Sequence, residues 1–397
     1  MIPRLILLSI IGIDVLILLF QTSTISISSH EADLLYGGFS FLRAIEIISL
    51  STLGQSDLAL RLPMITFHFL SVVLLYNISK KYLLDIRNRI WLTLIFILTP
   101  GVISSALLVD NAGLVIFGLL LFVYIYDKFS IKYSYYTLLL LSILDGGFVY
   151  LFLSLMFYSI YNKNRDFLFF NLLLFLLSIA IYGVDISGSP KGHLLDTIGL
   201  YSAIFTPVIF IYIFYVLYRR LLSKEIDVMW FVSAIPLILS ILLSFRQNID
   251  IEEFAPYLII ALPLAAQSFY ASYRVRLKMF RGNYKMIFTL SAIFLLVNFF
   301  VVLFNRELYL VIDNPKKHFA KKMHIAKELS QELKKRNIKC IKADSNMAIR
   351  LRFYGIDSCN QNILKEEKIS ESNTKSVTIS YKYRPIYSAT VTNINNE

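Results

Sequence analysis

The sequence predicts an all-α polytopic membrane protein that ends in a small α/β domain. Of its 397 residues, 57% are hydrophobic and only 17% are charged, whereas about 25% of the residues in a soluble domain are charged. The apolar residues form repeated runs that are long enough to cross a hydrocarbon core of about 30 Å. Basic residues are concentrated in alternate intervening segments, as expected for loops on the two sides of a membrane.

The hydropathy pattern predicts eleven transmembrane segments. They lie near residues 4–20, 60–78, 91–108, 112–126, 134–144, 148–161, 167–183, 197–217, 228–244, 254–272 and 286–304. We interpret 134–161 as two short helices that meet at Asp145-Gly146-Gly147, because one continuous helix would invert the side of every later loop. The first run is not expected to be a cleaved signal, since it lacks a small-residue cleavage site and further spans follow it.

The charge distribution places the N-terminus in the cytoplasm. Alternate loops, together with Arg4, carry 17 Lys and Arg residues, whereas the opposite loops carry only Arg43, Lys191 and Arg246. By the positive-inside rule, the segment SSHEADLLYGG at 28–38 lies outside. Eleven spans would put the C-terminus outside as well.

Residues 305–397 differ in composition from the rest of the chain. They hold 18 of the 39 basic residues against 10 acids, which gives a net charge of +8. The pattern predicts a helix over 318–337 and short strands at KCIKAD (339–344) and SVTISYKY (376–383). Both cysteines, Cys340 and Cys359, fall here. A pair in an extracytoplasmic domain can form a disulfide, and two unpaired thiols are an equally open alternative.

Several common chemistries have no motif in the sequence. It contains no Walker A loop, GxGxxG, GxSxG or CxxC, so ATP-driven transport by this chain is not expected. The five histidines show no metal-ligand spacing; no metal site is predicted from pattern, and a divalent metal stays open as a cofactor. Asp14 and His68 lie within spans, where ionisable residues are functional hypotheses by default. We interpret both as hydrogen-bonded structural residues.

Polar side chains collect in the segments predicted to lie outside. Near them, LLYGGFSFLRAIEIISL is predicted to form a helix in the membrane interface. The acids are Glu31, Asp33, Asp110, Glu252 and Glu253, and the cations are Arg61, Lys191 and Arg246. A carboxylate can take a proton from an acceptor hydroxyl or amine, and arginine can hold a phosphate with two hydrogen bonds. This combination indicates group transfer from a lipid phosphate at the membrane surface, although most of these acids taken singly would be solvated loop residues.

Four stretches within residues 1–265 resemble the GT-C superfamily of integral membrane glycosyltransferases, in particular the protein O-mannosyltransferases and lipid A aminoarabinose transferases. They are SSHEADLLYGG, at the family's acidic motif; LGQSDLALRLPMITFHFLSVVLLYNISKKYL, at its Arg-Leu-Pro element; LTPGVISSALLVDNAGLVIFGLLLFVYIYD; and FRQNIDIEEFAPYLIIALPLAA. The resemblance implies a GT-C-like bundle of about eleven transmembrane helices over 1–304, with an interfacial helix in the first outer loop. Residues 305–397 would follow as a small soluble basic domain, expected outside the cytoplasm.

The resemblance also implies a reaction. Such enzymes move a sugar, with inversion, from a polyprenyl-phosphate donor to a lipid, glycan or protein acceptor on the outer face. The implied location is the bacterial inner membrane with a periplasmic active site, in contact with membrane lipids and without nucleic acid. The implied catalytic residues are Glu31 as first candidate base, Asp110 as a second acid, and Asp33 and His30 as substitutes; Arg61, Arg246 and Lys191 are the candidates for binding the donor phosphate.

Two positions depart from the family pattern. His30 stands where the family has the leading Asp of its acidic pair, and Asp145-Gly146 stands where the family commonly has Lys-Gly. A catalytically inactive GT-C subunit therefore stays as an alternative. A transporter for a lipid-linked glycan is a further alternative, but transporters typically show paired halves with polar residues at the membrane midplane, and the polar residues here collect at the outer ends of the spans.

Overall fold

The computed structural model describes residues 2–183, 192–312, 314–366 and 376–393. The chain forms two compact units. The first unit consists of Met1–Leu16 and Met64–Phe299, and the second unit consists of Ile17–Pro63 and Phe300–Glu397. The first outer segment, which contains residues 28–38, is thus grouped with the C-terminal residues 300–397, which we call the tail.

The described residues form α-helices with a small sheet at the end of the chain. The helices are α1 Ile2–Thr22, α2 Ser29–Tyr36, α3 Phe41–Leu53, α4 Asp57–Tyr82, α5 Ile86–Leu98, α6 Pro100–Leu107, α7 Asn111–Lys128, α8 Ile131–Leu144, α9 Val149–Tyr161, α10 Arg165–Tyr182, α11 Leu194–Phe205, α12 Pro207–Ser223, α13 Val228–Ser244, α14 Ile251–Ile259, α15 Leu262–Val275, α16 Lys278–Leu303, α17 Ala326–Lys335 and α18 Ser345–Phe353. The strands are β1 Asn362–Glu366, β2 Ser376–Tyr381 and β3 Arg384–Asn393.

All eleven predicted transmembrane segments are helical. Five helices are long and apolar enough to cross a membrane alone, namely α1, α4, α7, α10 and α16. Three further segments are bent pairs, α5–α6 by 60°, α11–α12 by 106° and α14–α15 by 42°. The remaining three, α8, α9 and α13, are shorter apolar helices. The predicted division at Asp145 is confirmed, because α8 ends at Leu144 and a 3-10 turn at Gly146–Phe148 precedes α9.

The predicted segment 197–217 contains a sharp bend. The chain turns by 106° between α11 and α12. The turn lies at Thr206, whose φ is 67°, and the following Pro207 begins α12. A residue before proline is sterically disfavoured in the α conformation, so the Thr-Pro pair ends one helix and begins the next, a local effect that hydropathy does not register.

The first unit packs its helices around a core of Leu, Val, Ile and Phe side chains. A buried pair of polar side chains lies inside it. His68 Nε2 is 2.8 Å from Asp14 Oδ2, and both side chains are buried. The two ionisable residues found within predicted spans therefore partner each other, as the structural interpretation expected.

The tail builds a three-stranded antiparallel sheet in the order β1-β3-β2. Helix α17 covers it, because Leu329 and Leu333 lie one turn apart and pack against Val377 and Ile379 of β2. The predicted strand at 376–383 is confirmed as β2.

Two other predictions for the tail are corrected. The helix expected over 318–337 is confined to α17, with a 3-10 turn at Lys321–Met323 before it. The segment 339–344 forms isolated bridges, from Cys340 to Asp357 and from Lys342 to Ile363, and no extended strand. Cys340 and Cys359 form a disulfide, which decides between the two alternatives for these residues.

Candidate active site in the first outer segment

The acidic segment after α1 folds into the short helix α2. Its start is fixed by a capping box: Ser28 Oγ accepts a hydrogen bond from the Glu31 amide at 3.1 Å, and Glu31 Oε2 accepts one from the Ser28 amide at 2.8 Å. The helical spacing then buries Glu31 and exposes His30 and Asp33. The structure thus divides the predicted catalytic residues of this segment between two faces of one helix.

Glu31 forms an ion pair with Arg61, the predicted phosphate ligand at the start of α4. Arg61 Nε lies 2.9 Å from Glu31 Oε1, and Arg61 Nη2 lies 2.8 Å from Glu31 Oε2. The exposed fractions of the two side chains are 0% and 1%. Two parallel hydrogen bonds between a guanidinium and a carboxylate are both strong and directional.

The other donors of Arg61 bind the chain that leads into α2. They reach the carbonyl oxygens of Thr22 at 3.3 Å, Ile25 at 2.7 Å and Ser26 at 3.0 Å. A guanidinium has five N–H donors, and these bonds together with the two to Glu31 use all of them. In this geometry Arg61 has no donor left for a phosphate.

The tail holds the same segment from its own side. Arg350 Nε donates to the carbonyl of Ile27 at 2.8 Å, and the amide of Ile27 donates to Tyr354 Oη at 2.9 Å. Tyr354 in turn donates to Asp57 Oδ1 at 2.6 Å. Lys327 Nζ lies 2.7 Å from the other oxygen of Asp57.

The environment of these groups shifts their titration. Burial lowers the pKa of Arg350 to about 10, although the nearby Tyr354 and Glu31 oppose that shift. Burial also raises the pKa of Tyr354, and the carboxylate of Asp57 adds to the effect. At neutral pH the network therefore contains a charged Arg350 and a neutral Tyr354 hydroxyl, which donates to Asp57.

Sequence reasoning missed Glu46 on α3. Its side chain is fully buried, and among the described residues neither carboxylate oxygen has a hydrogen-bond partner. Burial, followed by the negative charge of Glu31, raises the pKa of Glu46 to about 8. The sequence did contain a signal, one acid within the mostly apolar IEIISL. It was overlooked because the whole stretch was interpreted as an interfacial helix.

The remaining predicted residues belong to the first unit. Asp110 is half-buried and caps α7, where its Oδ1 accepts a hydrogen bond from the Ala112 amide at 3.1 Å. Arg246 is exposed just after α13. Lys191 lies outside the described residues.

Asp145, the second departure from the family pattern, accepts a hydrogen bond from the Gly147 amide at 2.7 Å. Burial raises its pKa to about 6; the Gly147 bond opposes this shift, and the charges of Glu253 and Asp110 add to it. This carboxyl is therefore partly protonated near neutral pH.

The architecture has a solved counterpart. The chain shares its fold with ArnT from Cupriavidus metallidurans. The crystal structure of ArnT in the apo state superposes with a TM-score of 0.54 at 11% sequence identity, over 95% of this chain and 96% of ArnT. No family model matches the chain, and no curated protein matches it in sequence. At this identity the likeness establishes the fold alone.

The likeness to ArnT confirms the predicted fold class, a bundle of apolar helices that ends in a small α/β domain. It also extends beyond the residues that carried the sequence resemblance. Since 95% of the 397 residues are covered, the superposition includes most of the tail, where the sequence showed nothing to compare.

Proposed function

We propose that the protein is an integral membrane glycosyltransferase. It would move a sugar from a polyprenyl-phosphate donor to a lipid, glycan or protein acceptor on the outer face of the membrane. The observation that carries this proposal is the fold shared with ArnT along almost the whole chain. The exposed polar face of α2, at the position of the family's acidic motif, supports it.

The geometry favours different roles for the buried and the exposed ionisable residues of α2. Glu31 is buried and bound to Arg61, so we assign both of them to positioning the outer segment. His30 and Asp33 are exposed on the opposite face, and they are the better candidates for proton transfer. A neutral imidazole can accept a proton, and His30 stands where the family carries an acid.

The reaction follows from these roles. The acceptor hydroxyl or amine attacks the anomeric carbon from the face opposite the phosphate and gives its proton to the base on α2. The bond from that carbon to the phosphate oxygen breaks, and the polyprenyl phosphate leaves with the electron pair. A cation stabilises the phosphate charge. Arg246 and Lys191 are proposed for that role, and Asp110 is proposed as a second acid.

Mass spectrometry of lipid A, surface glycans and glycoproteins tests the proposal. The strains to compare are the wild type, a deletion, and the deletion complemented with wild type, His30→Ala, Asp33→Asn or Glu31→Gln. We expect the deletion to lose one sugar mass that the wild-type gene restores. A catalytic His30 or Asp33 predicts loss of transfer at normal protein abundance, whereas a positioning Glu31 predicts reduced abundance together with reduced transfer.

The departures at His30 and Asp145 favour a second candidate, a GT-C subunit without transfer activity. This candidate predicts that the deletion loses the sugar mass while the double variant His30→Ala/Asp33→Asn restores it. A deletion that changes no sugar mass in any of the three glycan classes would contradict the proposed transfer.

A further inference from the structure

A large apolar cavity lies in the first unit, away from the residues discussed so far. It has a volume of about 300 Å³ and is lined by residues of α5, α12, α15 and α16. Its walls are aromatic and aliphatic. Phe269 is central to them, with its ring 4.7 Å from that of Tyr284 and 5.2 Å from that of Phe288. Such a space in a membrane protein suits a hydrocarbon chain.

One end of this cavity reaches the connection between α15 and α16. Tyr284 and Tyr270 line the cavity, and they lie near the residues where α15 ends and α16 begins. The exposed guanidinium of Arg276 lies over the ring of Tyr284, 4.4 Å from its centre. The apolar wall and a cation therefore meet at the same aromatic side chain.

The surroundings of Arg276 are strongly basic. The end of α15, the connection and the start of α16 carry Arg274, Arg276, Lys278, Arg281 and Lys285. The sequence contains no acid between Glu253 and Glu307. A further cation approaches from α12, where Arg219 Nη1 lies 3.5 Å from Ser272 Oγ on α15. One acid lies close by, since the charge of Asp85, between α4 and α5, acts on Tyr270; the basic residues outnumber it.

Arg281 has a different role within this cluster. Its Nε donates to the carbonyl of Arg276 at 2.9 Å, and its Nη2 donates to the carbonyl of Arg274 at 3.1 Å. These bonds fix the turn between the two helices. Arg276, over the ring of Tyr284, and Arg219, beside Ser272, contact side chains of α15 and α16 near this end of the cavity and are therefore the candidates for binding an anion.

We propose that the cavity binds one acyl chain of an anionic phospholipid, whose phosphate is held by Arg276 and Arg219. The apolar lining matches the acyl chain, and the strongly basic rim matches the anionic headgroup. By the positive-inside rule this rim is on the cytoplasmic side, where anionic lipids attract basic residues near the membrane surface. The proposal does not depend on glycosyl transfer, because the donor is expected at the opposite face.

Native mass spectrometry of the full chain in detergent tests this site. The delipidated protein is titrated with phosphatidylglycerol and with phosphatidylcholine of the same acyl chains. We expect one phosphatidylglycerol to bind more tightly than phosphatidylcholine. Arg276→Gln should weaken that binding by about fivefold, the effect of one basic residue near the surface, and Ala292→Phe, which fills the cavity, should abolish it.

Two variants serve as matched controls. Arg165→Gln removes an exposed arginine from another predicted cytoplasmic loop, and Ala271→Phe adds the same ring to an exposed position of α15 that does not line the cavity. Both should bind phosphatidylglycerol like the wild type. The melting temperature of each variant shows whether it is folded. If Ala292→Phe does not fold, the binding of phosphatidylglycerol to Arg276→Gln alone tests the proposal.

Three outcomes would overturn the proposal. Equal binding of both phospholipids would indicate adventitious lipid only. Unchanged phosphatidylglycerol binding in Arg276→Gln would remove the headgroup site. A polyprenyl phosphate that binds the wild type, displaces phosphatidylglycerol at equal concentration and is lost in Ala292→Phe would identify a different occupant.

Discussion

Arg61 illustrates how burial decides the role of a charged side chain. In the sequence it is a cation near several acids at a membrane surface, which equally suits a phosphate or a carboxylate partner. In the structure its five donors bind Glu31 and three backbone carbonyls. Residue type and order predicted that Arg61 and Glu31 matter, but not that they bind each other.

This ion pair predicts an asymmetric effect on stability. Removing one partner leaves the other charge buried without compensation, which costs about 3–5 kcal/mol. Glu31→Gln and Arg61→Met should therefore each lower the melting temperature of the purified protein markedly. Asp33→Asn is the control, because it removes an exposed carboxylate from the same helix, and it should melt like the wild type. Equal melting of all four proteins would contradict a structural role for the pair.

Glu46 predicts a dependence of stability on pH. Its pKa rises from an ordinary value of 4.5 to about 8 in the folded protein. Between these values the folded state holds more protons than the unfolded state, so the contribution of Glu46 to stability decreases as the pH rises from 4.5 to 8 and is constant above that range. The physical cause is the burial of a carboxyl whose charged form has no partner among the described residues.

The variant Glu46→Gln removes this titration. At pH 8 it should be more stable than the wild type by roughly 1–3 kcal/mol, the cost of an unpaired buried polar group, and the difference should vanish near pH 4.5. Melting temperatures of both proteins across this pH range measure the difference in stability. Because both proteins share all other titrating groups, the effects of those groups cancel in the difference. A difference that is independent of pH would show that Glu46 does not titrate in the folded protein.

At the scale of elements, two Thr-Pro pairs interrupt apolar segments in different ways. Thr99 precedes Pro100 with φ −66° and ψ 123°, and the adjoining helices are bent by 60°. Thr206 precedes Pro207 with φ 67° and ψ 144°, and the bend there is 106°. The same dipeptide thus gives an ordinary break in one place and a strained one in the other.

The strain at Thr206 predicts that glycine is favoured there. A β-branched residue at positive φ costs about 1–3 kcal/mol, and glycine adopts this conformation without a steric penalty. Thr206→Gly should leave the melting temperature unchanged or raise it. Thr99→Gly, the matched control, should lower it, because Thr99 has an ordinary conformation and its hydroxyl donates to the Ile95 carbonyl at 2.8 Å. Equal losses in both variants would contradict the strained turn.

The disulfide in the tail is a second local feature that is expected to affect stability. Cys340 and Cys359 are 19 residues apart, and closing a loop of this length stabilises a domain by about 3 kcal/mol in the chain-entropy estimate. Cys340→Ser should therefore lower the melting temperature of the non-reduced protein, and dithiothreitol should lower that of the wild type to the same value. A peptide map of the untreated protein that shows two free thiols would refute the bond.

For the whole molecule, local sequence patterns predicted the helices well and their long-range partners poorly. Hydropathy located eleven apolar segments, all of which are helical, because each one depends on its own composition. The contacts that hold the first outer segment join residues about 300 positions apart, such as Ile27 to Tyr354 and Ser26 to Met323. No periodicity or motif encodes such pairs, so the tail could be predicted as a separate small domain but its contribution to the candidate site could not.

This contribution predicts that the tail orders the candidate active-site segment. The Tyr354 hydroxyl accepts a hydrogen bond from the Ile27 amide and donates one to Asp57. Tyr354→Phe therefore removes both hydrogen bonds and keeps the aromatic ring. Hydrogen exchange monitored by mass spectrometry should then become faster across 23–36, whereas the helices of the first unit should exchange as in the wild type. Tyr383→Phe, at a fully exposed position, is the matched control. If 23–36 exchanges equally slowly in both variants, the bonds from Arg61 alone suffice to order the segment. If Tyr354→Phe exchanges faster there and also reduces sugar transfer without lowering protein abundance, the order that the tail imposes on α2 is required for catalysis.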